Sequence, residues 1–83
     1  MTGPRRTKPA ENGAMPEIAR IARAFAERRV ALRLTQQTLA DLAGVSRYSV
    51  QSLERGTGST KINSVLEIAD VLGLRIEVNA TSE

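Results

Sequence analysis

The stretch from residue 34 to residue 56, LTQQTLADLAGVSRYSVQSLERG, constrains the fold most, because two short helical patterns meet in it around a glycine. The first helix begins after Thr35, whose hydroxyl can accept hydrogen bonds from free backbone N–H groups of the first turn. Gly44 ends this helix, since glycine readily takes the left-handed conformation beyond a helix C-terminus. Ser46 then caps the second helix. The inward-facing residues predicted for the first helix are Leu39, Ala40, Leu42 and Ala43.

The second helical pattern separates an apolar side from a polar side. Val50 and Leu53, three residues apart, are predicted to face the core. The residues expected on the solvent side are Arg47, Tyr48, Gln51, Ser52 and Arg55. Two short helices joined by a tight turn, with a polar outer face on the second, are typical of a helix-turn-helix, which lays its second helix in the DNA major groove.

Composition favours a small all-α protein without catalytic chemistry. The 83 residues suffice for one domain, and Phe25 and Tyr48 are the only aromatic residues, so Ile, Leu, Val and Ala must build the core. Cysteine and histidine are absent, which removes disulfides, thiolate and histidine catalysis and the commonest zinc ligands. We therefore expect no enzyme, no cofactor and no metal. Because no apolar run approaches membrane-spanning length, we expect a soluble cytoplasmic protein.

Positive charge is concentrated in the part of the chain that holds the helix-turn-helix. Residues 1–55 contain ten Arg or Lys against five acidic residues, net +5, whereas residues 56–83 have a net charge of −2. A surface that binds DNA phosphates requires such an excess.

The N-terminal residues 1–15 and the last residues, 80–83, are predicted to be disordered tails, because neither can contribute to a core. Arg5, Arg6 and Lys8 make the first tail basic. This charge is interpreted as solvated, and the alternative is a flexible arm that follows a phosphate backbone or enters a minor groove.

Another helix is predicted before the helix-turn-helix, from Pro16 to about Arg33, because proline is favoured in the first helical turn. The residues spaced along its inward side are Ile18, Ile21, Ala22, Phe25, Arg29 and Leu32. A charged residue at an inward position needs a partner, and Glu54 at the end of the second helix-turn-helix element is the best candidate for an ion pair with Arg29. The alternative is that Arg29 extends to solvent.

After the polar loop 57–60, Ser59 or Thr60 is expected to cap a last helix that Gly73 ends. Its apolar residues are Ile62, Val65, Leu66, Ile68, Ala69 and Leu72. In residues 74–79, LRIEVN, apolar and polar residues alternate, which predicts a half-buried strand. A single strand leaves its backbone groups unpaired, so we expect Leu74, Ile76 and Val78 to mediate strand pairing with a second copy. The alternative is an extended tail lying on its own helices.

The segment TQQTLADLAGVSRYSVQSLERG resembles the helix-turn-helix of phage-repressor-like regulators of the XRE/Cro/cI type. It meets their pattern at Thr-Gln and Leu-Ala, at Gly-Val-Ser in the turn, and at the final Glu-x-Gly. The resemblance covers roughly residues 16–74 and implies a bundle of four to five helices. The ending GLRIEV is similar to HipB-type antitoxins, which repress their own operon, bind a HipA-type kinase toxin and pair C-terminal strands across a dimer. Arg33 departs from the family, which often has glycine there, and suggests a less sharply bent loop.

The resemblance also implies roles for individual residues. Gln36, beside the capping residue Thr35, would bind a phosphate at the helix N-terminus. The residues expected to contact base edges are Arg47, Tyr48, Gln51 and Ser52. Ser46 is either a cap only or also a phosphate contact, and Arg55 would be a phosphate ligand. A symmetric dimer would bind an inverted repeat with half-sites about 34 Å apart.

The leading interpretation is a homodimeric repressor that binds double-stranded DNA and serves as the antitoxin of a HipA-type toxin-antitoxin module. A stand-alone phage-type or metabolic regulator of the same family is the alternative. A protein-interaction module without DNA binding, or an RNA-binding protein, is disfavoured because an exposed Arg, Tyr and Gln would have no use in the first, and the second would need stacking aromatic residues.

Overall fold

The computed structural model describes residues 15–81, which form four α-helices around one core. The helices are α1 (Pro16–Ala31), α2 (Gln36–Ala43), α3 (Arg47–Arg55) and α4 (Ile62–Leu72). The predicted all-α class is confirmed, with four helices in the described part of the chain. No helix there is long and apolar enough to cross a membrane. The predicted basic tail with Arg5, Arg6 and Lys8 lies outside the described residues.

The helix boundaries in the middle of the chain follow from the capping residues. Thr35 Oγ1 accepts a hydrogen bond from the backbone N–H of Thr38 at 3.0 Å, and Ser46 Oγ accepts from that of Ser49 at 3.1 Å. Gly44 lies between the two helices with a φ of 71°, in the left-handed region that favours glycine. The predicted caps of α2 and α3 are confirmed.

The turn after α1 differs from the expectation for an arginine at position 33. Arg33 adopts a φ of 58°, so the loop bends as sharply as it would with glycine, and the expectation of a less bent loop is wrong. The N–H of Leu34 donates to Arg29 O (3.1 Å) and that of Arg33 to Val30 O (2.9 Å), the hydrogen-bond pattern that closes a helix through a left-handed residue. These bonds impose the conformation, and α1 ends at Ala31 rather than near Arg33.

The core lies among all four helices and is almost entirely aliphatic. Its buried residues include Phe25 from α1, Leu39 from α2, Val50 from α3, and Ile68 and Leu72 from α4. Side chains of this kind fill a small interior without unpaired polar groups. The predicted core positions of α3 are confirmed, since Val50 and Leu53 are both buried.

In α1 and α2, fewer of the apolar residues are buried than the sequence predicts. Leu42 is 61% exposed, because α2 buries only the narrow side formed by Leu39, Ala40 and Ala43. In α1 the inward side is buried only at Ala22 and Phe25, and the rest of the expected apolar residues stay partly or largely exposed: Ile18, Ile21 and Leu32.

The start of α4 corrects another prediction. Lys61 is the residue before the helix and makes no side-chain capping bond, so neither Ser59 nor Thr60 caps α4. The Ser59 hydroxyl lies 2.9 Å from Thr57 Oγ1 instead and stabilises the loop. At the other end Gly73 ends the helix as predicted, and Arg28 Nε donates to the carbonyl of Leu72 at 2.8 Å.

The predicted strand at residues 74–79 is not formed, and no β-strand occurs within residues 15–81. The chain leaves α4 irregularly, with Leu74 half-buried against the core and Val78 94% exposed. A strand is defined by its backbone hydrogen bonds to a neighbour, and a single copy of this chain offers none here.

Candidate nucleic-acid interface

The α2–turn–α3 unit is held by short-range backbone bonds and by the shared core. The N–H of Val45 donates to Ala40 O at 3.0 Å and that of Gly44 donates to Asp41 O at 3.3 Å. Leu39 and Val50 are fully buried members of the same core cluster, one from each helix. The turn and the packing fix the second helix relative to the first, so its outer side is a rigid surface.

The outer side of α3 carries the residues with the chemistry for reading DNA. With 3.6 residues per turn, Arg47, Gln51 and Arg55 lie in one row along the helix, and Tyr48 lies beside it. Arg47, Tyr48 and Arg55 are exposed, and Gln51 is half-buried. An arginine fork matches O6 and N7 of guanine, a glutamine amide matches adenine, and a tyrosine ring can contact a thymine methyl group or a phosphate.

Ser52 is not part of this surface, which corrects its prediction as a base-reading residue. It is only 2% exposed, and its Oγ lies 2.7 Å from Thr57 Oγ1 and 3.4 Å from Ser59 Oγ. On a helix of 3.6 residues per turn it stands about 140° from Arg47, at the edge that turns towards the core. Buried hydroxyls need a partner, and two hydroxyl residues in the loop directly after α3 were the signal that Ser52 faces inward.

The N-terminus of α2 holds two of the predicted phosphate contacts. Thr35 is exposed, and its hydroxyl is used as the cap. Gln36 is half-buried, and its Nε2 donates to Glu54 Oε1 at 3.0 Å. A glutamine amide carries two N–H groups, so one remains for a phosphate after Glu54 has accepted the other.

Glu54 is the residue that joins three helices at this site. Arg29 Nε lies 2.7 Å from Glu54 Oε2, and Arg29 Nη2 donates to Glu54 Oε1 at 3.1 Å, which is the ion pair predicted from the inward position of Arg29. Arg29 Nη1 also donates to the carbonyl of Leu34 at 2.7 Å. Gln36 and Leu34 could not be added to this pair from the sequence, because both connections depend on how the helices pack.

Hydrogen bonding and charge attraction keep the guanidinium of Arg29 protonated. Hydrogen bonding to Glu54 raises the pKa of Arg29 above its ordinary value, desolvation opposes that rise, and the attraction of the carboxylate adds to it. The guanidinium therefore stays protonated wherever the protein is folded, and the contact between α1 and α3 does not depend on its titration.

The remaining predicted phosphate contacts are at the two ends of α3. Ser46 is exposed, but its hydroxyl is engaged as the cap and lies 3.0 Å from Ser49 Oγ. Arg55 is exposed in the last turn. Within residues 15–81, no group of three or more acidic, histidine or cysteine side chains is placed to hold a metal ion.

Known proteins with the same architecture carry the same motif. The helix-turn-helix family matches residues 25–79, well over half of the chain. The crystal structure of the restriction-modification controller protein C.AhdI from Aeromonas hydrophila superposes with a TM-score of 0.64 at 30% sequence identity, covering 71% of this chain and 89% of that one. Comparison with curated protein sequences gives no significant match.

These matches are to DNA-binding regulators rather than enzymes, as the sequence predicts. They confirm the resemblance to XRE-type helix-turn-helix regulators. Neither match supports the finer resemblance to HipB-type antitoxins, and neither shows a dimer or a HipA-type partner for this chain.

Proposed function

Since the chain belongs to the XRE-type helix-turn-helix family, we propose that it is a transcriptional repressor that binds double-stranded DNA sequence-specifically as a homodimer on an inverted-repeat operator. The observation that carries the proposal is the outer side of α3. There Arg47, Gln51 and Arg55 form a polar row on a helix whose opposite side is buried through Val50 and Leu53.

In the proposed complex α3 lies in the major groove. Arg47 donates two hydrogen bonds to a guanine, Gln51 pairs with an adenine, and Tyr48 contacts a thymine methyl group or a phosphate. Phosphates on either side of the groove are bound at the N-termini of α2 and α3, where free backbone N–H groups and the helix dipole favour an anion, and by the guanidinium of Arg55 in the last turn of α3. The residues proposed for these phosphate contacts are Thr35, Gln36, Ser46 and Arg55.

The Glu54 contacts support this geometry because they fix its parts before DNA arrives. Glu54 holds Gln36 at the N-terminus of α2 and Arg29 on α1 through the same carboxylate. Side chains that are already ordered lose less conformational entropy on binding. The phosphate-binding end of α2 and the base-reading side of α3 therefore meet the duplex as one surface.

A homodimer is proposed because one α3 reads only a few base pairs. Two copies related by a two-fold axis present two recognition helices to half-sites about 34 Å apart, which is one turn of the DNA. The segment after α4 supplies a surface for this association, since Ile76 and Val78 are apolar and exposed beside the half-buried Leu74.

The regulatory setting has two candidates. C.AhdI is a restriction-modification controller protein, and the likeness to it favours a stand-alone regulator. The antitoxin role, with a HipA-type kinase as partner, stays a prediction that depends on the GLRIEV ending. A HipA-type kinase encoded beside this chain, and its co-purification with the chain, would support the antitoxin role.

Duplex binding as a function of salt concentration tests the proposal. The affinity should fall linearly on a double-logarithmic plot, with a slope of about −0.9 for each phosphate contact. Arg55→Ala should reduce the slope by about 1, whereas Arg20→Ala, an exposed arginine on α1, should leave it unchanged. Affinity that does not respond to salt, or equal effects of the two substitutions, would contradict DNA binding through α3.

A further inference from the structure

The segment after α4 has backbone groups that nothing in the described chain satisfies. The N–H of Leu74 donates to Ala69 O at 2.9 Å, and beyond it residues 75–81 make no backbone hydrogen bond to the rest of residues 15–81. These unpaired backbone groups are available to a second chain that pairs with the segment. Its charged residues are also nearly free, since Arg75 Nη1 and Glu77 Oε2 lie 3.4 Å apart with side chains 82% and 60% exposed.

The order of residues selects one alignment for such a pair. In an antiparallel pair centred on Ile76, Arg75 faces Glu77 of the other copy twice, and Leu74 faces Val78 twice. Centring on Arg75 or on Glu77 brings two like charges face to face. Shifting one strand by a single residue places charged residues opposite apolar ones. The apolar side chains of the two strands then no longer lie on the same face of the pair.

We propose that residues 74–78 of two copies pair as antiparallel strands with Ile76 facing Ile76 on the two-fold axis. This register rests on the homodimer of the proposed function and specifies which residues meet in it. Each copy contributes one acidic and one basic side chain to two equivalent pairs, so the same sequence is complementary to itself.

An open apolar groove beside the segment supports a second copy as the occupant. The groove, about 520 Å³, is lined by Ile18 and Ile21 of α1, by Val65 of α4, and by Leu74 and Ile76. In the proposed register Val78 of the second copy lies next to Leu74, at the edge of this groove. Val78 is almost fully exposed in a single copy, and pairing gives both it and the groove an apolar neighbour.

Cysteine cross-linking measures the register directly, because the chain has no cysteine of its own. Facing residues of antiparallel strands have Cα atoms about 4.5–5.5 Å apart, within the range of a disulfide. Ile76→Cys should therefore form a covalent dimer under mild oxidation. Val78→Cys should not, because its two copies are four residue positions, about 13 Å, apart. A mixture of Leu74→Cys and Val78→Cys should cross-link to each other.

A cysteine at Asp41, exposed on α2, sets the background for random collisions. Faster cross-linking of Arg75→Cys or Glu77→Cys than of Ile76→Cys would overturn the register in favour of another one. Cross-linking of Ile76→Cys no faster than that of Asp41→Cys would overturn the pairing itself.

Reversing the charge of Arg75 or of Glu77 distinguishes pairing between two copies from the contact between these two side chains within one copy. R75E and E77R alone should each lose the homodimer, because like charges then face each other twice. Mixing the two variants should restore a dimer that contains one copy of each, observed by native mass spectrometry. The contact within one chain stays repulsive in this mixture, so an equal loss of dimer in the mixture would contradict the register.

The result of the cross-linking experiment is independent of DNA binding. Wild-type protein that binds duplex DNA in a salt-dependent manner while Ile76→Cys stays at the Asp41→Cys background would retain the proposed function and remove the register. Efficient cross-linking without DNA binding would do the reverse.

Discussion

The guanidinium of Arg29 and the carboxylate of Glu54 form a two-point ion pair that ties α1 to the end of α3, the second helix of the helix-turn-helix. The shorter contact is 2.7 Å, and the two side chains are only 16% and 9% exposed. The same carboxylate accepts a hydrogen bond from Gln36, the first residue of α2. One residue of α3 thus fixes the relative positions of three helices at the surface proposed to meet DNA.

Glu54→Ala should lower the free energy of unfolding by about 2 to 4 kcal/mol, because it leaves the largely buried Arg29 charge without a partner. Chemical denaturation would measure the change. Glu67→Ala, an exposed position on α4, is the control and should stay within about 0.5 kcal/mol of the wild type. Similar losses in both variants would show that the pair contributes no more than a surface contact.

Arg33→Gly should raise the free energy of unfolding by about 1 kcal/mol, because Arg33 has a φ of 58° and only glycine adopts this region without a steric cost. In a domain of this size the melting temperature should rise by about 4 to 8 °C. Arg33→Ala removes the same side chain but keeps the Cβ atom, so it should bring no gain. Equal melting temperatures for the two variants would contradict a strained Arg33.

Ser52→Ala and Gln51→Ala should have opposite consequences although the residues are neighbours. Ser52 is buried with its hydroxyl against Thr57, so its loss should reduce stability by about 1 kcal/mol and leave the preferred DNA sequence unchanged. Gln51→Ala should leave stability nearly unchanged and relax the preference at one base pair. Thermal melts and binding to a set of single-base operator variants would separate the two effects. A changed base preference in Ser52→Ala would restore its role in reading DNA.

The features that the sequence predicted well depend on few neighbours. Thr35, Gly44 and Ser46 set helix ends through hydrogen bonds and dihedral angles within four or five residues, so their types suffice to place α2 and α3. The Arg29–Glu54 pair was predictable because a charge in an apolar stripe requires a partner. For the polar row on the outer side of α3, helical periodicity alone groups Arg47, Gln51 and Arg55.

The features that escaped prediction depend on packing between distant parts of the chain. Leu42 is apolar, but the bundle covers only one narrow side of α2, so the pattern overstated its burial. Ser52 lies at the boundary of two faces, where its contact with Thr57 decides the outcome. Residues 74–79 alternate like a strand, yet a strand needs a partner that one copy does not contain. Arg33 shows that backbone hydrogen bonds can impose a conformation its residue type disfavours.

Binding-site selection from random DNA duplexes tests the central claim most directly, because the operator sequence does not have to be known in advance. The selected sites should be inverted repeats whose half-sites lie about 34 Å apart. Selection with Arg47→Ala should relax one position in each half-site, at a cost of about 1 to 3 kcal/mol in binding free energy. No enrichment with the wild-type protein, or the same sites at the same affinity with Arg47→Ala, would contradict DNA recognition by α3.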